Sequence, residues 1–590
     1  MVWITKLIKE LQRRRVFRMT ALYIIAGWVV IQVTSEALPA LNIEDSAIRF
    51  AWIAVLAGFP LALIFSWKYD VTTEGIRRTP SGIEATTEEL RLRQTDYLLL
   101  AVLTLIAAFG ITNLTQNVLR EQASTDTAPQ TREIEAGSIA VLPLENLSPD
   151  PEQEYFASGM YDTLINSLCK VNALRVTSRT SASRVNAKLT MPMIGRQLGV
   201  ASLIEGSIMR EGNRVRVTVQ LIDAASDQHI WAETYERDFT DVMALQADVA
   251  RAVARAVQVN LTAEDEQQLA RSLTIQPATF ESYLRAMFQF RKETPDGYRR
   301  GIDILKEALE NDPTSALAYA GLAQGFSELG HSPYPVRGAY SRAKAAADKA
   351  IELDDTLAEA HLSVAMYKLY YEYDWAGAET AFARAIELNP SLTDAWYHWA
   401  WQLELFGRDE EAIAAGIKTV ELSPLSPFYM SWLGDQYRDA GNYEKAIEMT
   451  GSVLGLYPEF PIAWFVLGNT YAELGRFEEA IEAHANLSGN AFFSWAQAYS
   501  FAMAGQDEKA REVLAGIEHK SDNGFPLTLI YASLNDIDKA MYWMEQVGEN
   551  KMPWYPWLVG WFPQFRTLHD DPRIIARADE LGVPLLKGPH

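Results

Sequence analysis

Residues 390–423 read PSLTDAWYHWAWQLELFGRDEEAIAAGIKTVELS, and residues 424–457 read PLSPFYMSWLGDQYRDAGNYEKAIEMTGSVLGLY. A third copy of the pattern opens at residues 458–480, PEFPIAWFVLGNTYAELGRFEEA. Pro390, Pro424 and Pro458 stand 34 residues apart, and small residues recur with them: Ala400, Gly434 and Gly468, then Gly407, Gly441 and Gly475, then Ala412, Ala446 and Ala480. Two antiparallel helices approach closely only where side chains are small, and proline cannot continue a helix. Each period therefore reads as one helix pair closed by a break.

The register extends upstream through Ala308, Pro313, Ala323, Gly330, Ala343, Ala350 and Asp355, with an insertion at residues 331–335, and downstream through Gly505, Ala510, Asn535 and Ala540. About eight repeats fit between Ser282 and Gly548, giving an array over residues 280–550. Residues 551–590 are expected to cap its open end, with a last helix starting at Asp571-Pro-Arg573. The pattern resembles the tetratricopeptide repeat. That resemblance implies an all-α solenoid whose first helices line a concave groove. The family's groove positions fall on Tyr397, Trp401, Glu404, Asp435, Arg438, Phe465, Asn469, Glu473, Trp495 and Tyr499. Aromatic rings mixed with fixed polar groups suit a protein or an extended peptide as the partner. Trp396, Trp432 and Trp464 are read as filling space between helices, and Trp554, Trp557 and Trp561 as part of the cap rather than a membrane-interface belt.

Before the array, residues 138–265 read as a small α/β domain. Ser138–Leu144 is a buried strand, Tyr155–Val171 a helix, Ala201–Met209 a strand, and Arg214–Leu221 a strictly alternating strand with one wet face. A long helix, Val242–Leu261, closes the domain. The segments IAVLPLENLSPDPEQEYFASGMYDTLINSL and GRQLGVASLIEGSIMREGNRVRVTVQLIDAASDQHIWAETYERD resemble the periplasmic amino-terminal domain of TolB proteins, which implies an interaction module. Ser178, Ser181 and Ser183 with Arg175, Arg179 and Arg184 lack a nearby histidine base and read as a solvated loop. Cys169, the single cysteine, lies among Leu164, Ile165 and Leu168 and reads as a small buried residue.

The first 120 residues hold 13 Lys/Arg against 10 Asp/Glu, whereas the whole chain carries a net charge of -23, so the acid is concentrated in the body. Acid in that excess excludes nucleic acid as the body's partner. Three apolar stretches, about residues 19–38, 50–67 and 97–114, have the length of membrane spans. They make residues 19–115 a three-helix anchor after a basic tail, 1–18, and before a polar linker, 116–137. Arg13, Arg14 and Arg15, with Arg77 and Arg78, are topogenic under the positive-inside rule. They put the amino terminus in the cytoplasm and the body in the periplasm of a bacterial inner-membrane protein.

The expected fold is thus multidomain: three transmembrane α-helices, a small α/β (TolB amino-terminal-like) domain, and an all-α solenoid of tetratricopeptide repeats. The expected function is a non-enzymatic inner-membrane scaffold or sensor that binds protein in the cell envelope, with oligomers formed through the repeats or the spans. The alternatives are a signalling component acting on transcription or a cyclase through a membrane partner, and a factor for envelope polysaccharide or lipoprotein export. No nucleophile–base pair, HExxH, phosphate-binding loop or Cys/His cluster is present, so no enzyme activity, cofactor or metal is expected. His361 and His398, at near-equivalent places in successive repeats, read as half-buried helix residues.

Overall fold

The computed structural model describes residues 58–59, 69–72, 75–78, 134–150, 153–186, 188–271, 275–332, 335–490, 492–518, 524–562 and 569–585. They fall into two units, Met1–Arg132 and Glu133–His590. In the first unit, β1 (Tyr69–Thr72) and β2 (Gly75–Arg78) form an antiparallel hairpin pairing Tyr69 with Arg78 and Thr72 with Gly75. Arg77 and Arg78 therefore sit on a strand, while Arg13, Arg14 and Arg15 lie outside the described residues.

The expected membrane architecture is corrected here. No helix among the described residues is long and apolar enough to cross a membrane. The longest of them, Pro295–Asn311, has 17 residues and carries charge along one face, short of the roughly 20 apolar residues that a span needs. Three transmembrane helices, and with them a multi-pass inner-membrane location, are withdrawn. The stretches 19–38, 50–67 and 97–114 that suggested them lie outside the described residues, apart from Gly58 and Phe59.

The second unit begins with a mixed sheet ordered β5-β3-β6-β7-β8. Its strands are β3 (Ser138–Val141), β4 (Glu145–Asn146), β5 (Arg175–Val176), β6 (Ser202–Glu211), β7 (Arg214–Asp223) and β8 (Gln228–Asp238). β3 runs parallel to both β5 and β6, β4 also pairs with β6, and β6, β7 and β8 form an antiparallel meander. β7 alternates as its sequence dictates, with Val215, Val217, Val219 and Leu221 buried and Arg214 and Arg216 exposed. Gly206 is fixed by this pairing, since a Cβ there would lie 2.0 Å from the Thr218 carbonyl oxygen. Helices α1 (Glu154–Cys169) and α4 (Val242–Ala256) cover one face through Phe156, Leu164, Leu168, Leu245, Val249 and Val253. The short α2 (Arg179–Ala182) and α3 (Met191–Leu198) lie toward the other, where Ile194 and Leu198 meet Ala140 and Leu203.

After α5 (Ala263–Arg271) come eight helix pairs among the described residues. They are α6/α7 (Pro277–Phe290, Pro295–Asn311), α8/α9 (Ala316–His331, Ala339–Leu353), α10/α11 (Ala358–Tyr367, Trp375–Leu388) and α12/α13 (Thr393–Leu405, Asp409–Leu422). The rest are α14/α15 (Pro427–Asp439, Tyr443–Leu456), α16/α17 (Pro461–Glu473, Phe477–Ala485), α18/α19 (Ala496–Met503, Asp507–Glu518) and α20/α21 (Phe525–Ser533, Ile537–Glu549). Two short helices complete the described residues, α22 (Tyr555–Gly560) and α23 (Pro572–Leu581). Gly407, Gly441, Gly475 and Gly505 all have φ near +70°, the left-handed turn between the helices of a pair that favours glycine. A π-helical turn, Lys368–Glu372, extends α10 and ends at Tyr373 with φ 63°.

The α/β domain and the array share cores. The cluster under the sheet runs without a break from Phe156 through Phe280, Leu284 and Leu305 to Ala347. Farther along, Leu425, from the turn after α13, completes the small cluster on the opposite sheet face. The serine–arginine segment 175–184 is not a solvated loop. Ser178 N donates to Leu422 O at 2.7 Å, the Ser178 hydroxyl meets that of Ser423 at 2.7 Å, and Leu425 N donates to Ser181 Oγ at 2.9 Å. Arg175 and Arg184 donate to the carbonyls of Glu421 and Leu425. These residues weld the α/β domain to the middle of the array, a role their polar character hid in the sequence. Cys169 is buried, and burial pushes its thiol up to about 12, far from a reactive thiolate.

Candidate partner-binding face

Nine of the ten groove positions lie on α12, α14, α16 and α18, the first helices of four successive pairs, and Trp495 stands immediately before α18. The structure brings Tyr397, Trp401, Glu404, Asp435, Arg438 and Glu473 together and, farther along, Phe465 with Trp495, whereas Tyr499 packs in a separate cluster with Ala472 and Ala480. Nine of the ten are buried, Trp401 being 3 % exposed, and Glu473 is half-buried. What covers the aromatic end of this face is the chain's own carboxyl-terminal segment. The Trp401 ring contacts those of Trp554, Trp557 and Trp561, with centroids 5.3, 6.1 and 5.8 Å away. Tyr370 stacks on Trp557 at 5.5 Å, and His331 meets Trp554 at 4.8 Å. Farther along, Phe465 packs on Trp495 at 5.6 Å, and Phe525 joins Trp495 to Phe562. Pro556 stands in the first turn of α22, where a missing N–H costs nothing, so a short helix can carry these indoles inward.

Beside the indoles sits a buried charge cluster. Arg438 is fully buried, with Nε 2.9 Å from Asp435 Oδ1, Nη2 2.8 Å from Asp439 Oδ1, and Nη1 on Glu473. The Trp561 ring lies 5.4 Å from its guanidinium carbon, a cation–π contact. Glu404, Asp435 and Asp439 each bring a carboxylate oxygen within 4.8 Å of the others. Three such oxygens are a spacing that a divalent cation spans. Arg438 already engages Asp435 and Asp439, however, and a guanidinium beside the same oxygens opposes a second cation. A shared proton balances the cluster instead. Burial, with Asp439 as neighbour, holds Glu404 well above the usual carboxylate range, and burial pushes Asp439 up to about 7. Asp435 is also raised by burial, against the pull of Arg438. Sequence reasoning singled out Glu404, Asp435, Arg438 and Glu473 but missed Asp439, the residue next to Arg438 in the chain.

This cluster sets a pH dependence. Acids with raised folded-state values contribute stability that is complete below their unfolded values near 4 and is lost as pH climbs from there to the folded ones. Glu328, half-buried and raised to about 8 by desolvation with Asp394 and Glu293 nearby, acts with the same sign. Stability, and the thermal midpoint with it, is expected to fall between pH 6 and 8, by about 1.4 kcal/mol per pH unit for each proton that the folded chain holds and the unfolded chain does not. Asp439→Asn should flatten that slope. A midpoint that is level or rises over this range contradicts the shared proton.

The histidines are placed differently from their sequence equivalence. His361 is half-buried, as expected, with Nε2 3.0 Å from the Asp355 carbonyl, whereas His398 is buried with Nδ1 2.9 Å from the Tyr370 hydroxyl. His398 meets His331 instead, ring centroids 5.0 Å apart. Burial holds His331 down to about 4 and His398 well below its ordinary value, so both rings are neutral wall residues. Their only signal in the sequence was the insertion that carries His331.

The tetratricopeptide repeat family matches residues 433–490, and the chain carries repeats of that kind, which serve as protein-interaction modules. Over 190 residues it is 38% identical to the protein named "Putative adenylate cyclase 3" of Rhizobium meliloti (strain 1021), covering 32% of each chain. It is 24% identical over 143 residues to "Transcriptional regulator HilA" of Salmonella typhimurium, 24% of this chain and 26% of that one. The chain therefore spans about a third or less of these relatives. Among solved structures, the tetratricopeptide protein YrrB, described as having an unusual peptide-binding site, aligns at 19% identity over 36% of this chain and 97% of its own, with a TM-score of 0.26. PilF of Pseudomonas aeruginosa aligns at 17% identity over 38% of this chain and 97% of its own, with a TM-score of 0.30.

Proposed function

We propose that this protein is a non-enzymatic adaptor that recruits a protein partner through the inner face of its helical array. The α/β domain serves as a fixed arm of the same body. The observation that carries this reading is the wall built by α12, α14, α16 and α18, where aromatic rings alternate with fixed charges and already hold a peptide segment in place. A wall of this composition suits extended or helical peptide ligands.

A photo-reactive phenylalanine in place of Trp432, half-buried beside Trp401, should trap a partner in cells. The same group at Tyr542, an exposed residue 56% accessible on α21, should trap none. Equal capture at both positions, or none at Trp432, contradicts the assignment.

A second reading, favoured by the 38% identity to the protein named as a cyclase, makes the chain a signalling component whose partner controls a cyclase or a transcription factor. Deleting the chain's coding sequence would then shift cellular cyclic-nucleotide levels or transcript profiles; unchanged levels and profiles remove this reading and leave the adaptor.

A further inference from the structure

Trp554, Trp557 and Trp561 stand at i, i+3 and i+7, the spacing with which a helix lays one face into a groove. Their fit is incomplete. The indole N–H groups of Trp557 and Trp561 are buried and find no acceptor among the described residues, while Asp435 Oδ2 and Asn469 Oδ1, on the wall, are buried acceptors without donors. Buried polar atoms left unmatched weaken any seat. The carboxyl groups of Glu404, Asp435, Asp439 and Glu473 surround the single guanidinium of Arg438. Even with one proton shared, this part of the wall keeps an excess of negative charge. Met552–Phe562, MPWYPWLVGWF, brings no basic side chain to it. The preceding residue, Lys551, is spent elsewhere, its Nζ 5.7 and 4.9 Å from the rings of Tyr371 and Tyr373.

We propose that this face is the docking site for a helical segment of a partner protein that combines aromatic anchors at that spacing with arginine or lysine, and that Met552–Phe562 is the placeholder seated there in its absence. The inference rests on the reading of the array as a protein-binding face. A basic segment matches the charge of the wall and supplies donors to Asp435 and Asn469, which the resident as seated does not. A wholly apolar segment has no such advantage. Release of the resident is then the event that couples partner binding to the carboxyl-terminal end of the chain.

The test uses the full-length protein and three labelled synthetic peptides: residues 552–562, the same followed by two arginines, and the same followed by two glutamates. Fluorescence anisotropy should show the arginine peptide binding about tenfold or more tighter than the glutamate peptide. A chain carrying Trp557→Ala and Trp561→Ala, its resident loosened, should bind the arginine peptide about tenfold tighter than the unsubstituted chain. If that variant fails to fold, hydrogen exchange on the unsubstituted chain decides: amides of residues 552–562 should exchange faster at saturating arginine peptide. Equal affinity for the two charged peptides, or exchange unchanged by the arginine peptide, overturns the proposal. A partner still trapped from the Trp432 position would then leave the adaptor standing and remove only the placeholder; loss of both removes both.

Discussion

Replacing Arg438 by methionine is expected to destabilise the array by about 3–5 kcal/mol, the range for breaking a buried ion pair from one side. The side chain is 0 % exposed and is held by Asp435, Asp439 and Glu473. Its removal leaves three buried carboxyls, with Glu404 alongside, and no buried cation. Methionine keeps most of the volume, so the loss is electrostatic rather than a cavity. The loss should shrink as pH falls from 8 to 5, because protonation neutralises the orphaned acids. Chemical denaturation at the two pH values checks this. A cost below about 1 kcal/mol at pH 8 would mean that the cluster is solvated like a surface pair.

Trp557→Ala should cost about 3–5 kcal/mol as well, by a different mechanism. Trp557 is fully buried against Tyr370, Trp401 and Trp554, so truncation opens a cavity the size of an indole. Relief of its unpaired N–H offsets part of that loss. The effect should be local first: α22 has six residues and cannot persist alone, so the segment loosens before the array melts. Limited proteolysis should cut between α21 and α23 in the variant at a protease level that spares the parent chain. Equal resistance would show that the indole carries no share of the closure.

Much of this architecture is legible in the chain. The 34-residue spacing of Pro390, Pro424 and Pro458 carries the helix pairs because close helix approach and helix breaks are local demands, each met by one residue type. The alternation in Arg214–Leu221 carries a strand for the same reason. Legibility fails where two distant segments meet. Ser178 and Ser181 read as solvated because nothing nearby in sequence announces Ser423, 242 residues beyond Ser181. Trp401 and Arg438 could be singled out from the repeat register, but not that Trp557 and Trp561 would pack over them, since both segments look alike as aromatic stretches. The apolar head misled in the opposite sense: hydropathy alone suggested spans, and no described helix has the length for one.

The central claim is that the inner face of the array is covered by the chain's own segment Met552–Phe562. Amide hydrogen exchange of the full-length protein, followed by mass spectrometry, measures this directly. Burial of Trp557, Leu558 and Val559 predicts that peptides across residues 552–562 exchange as slowly as those from α12 and α14. Complete exchange of that segment within seconds, while α12 and α14 stay protected, would contradict the claim.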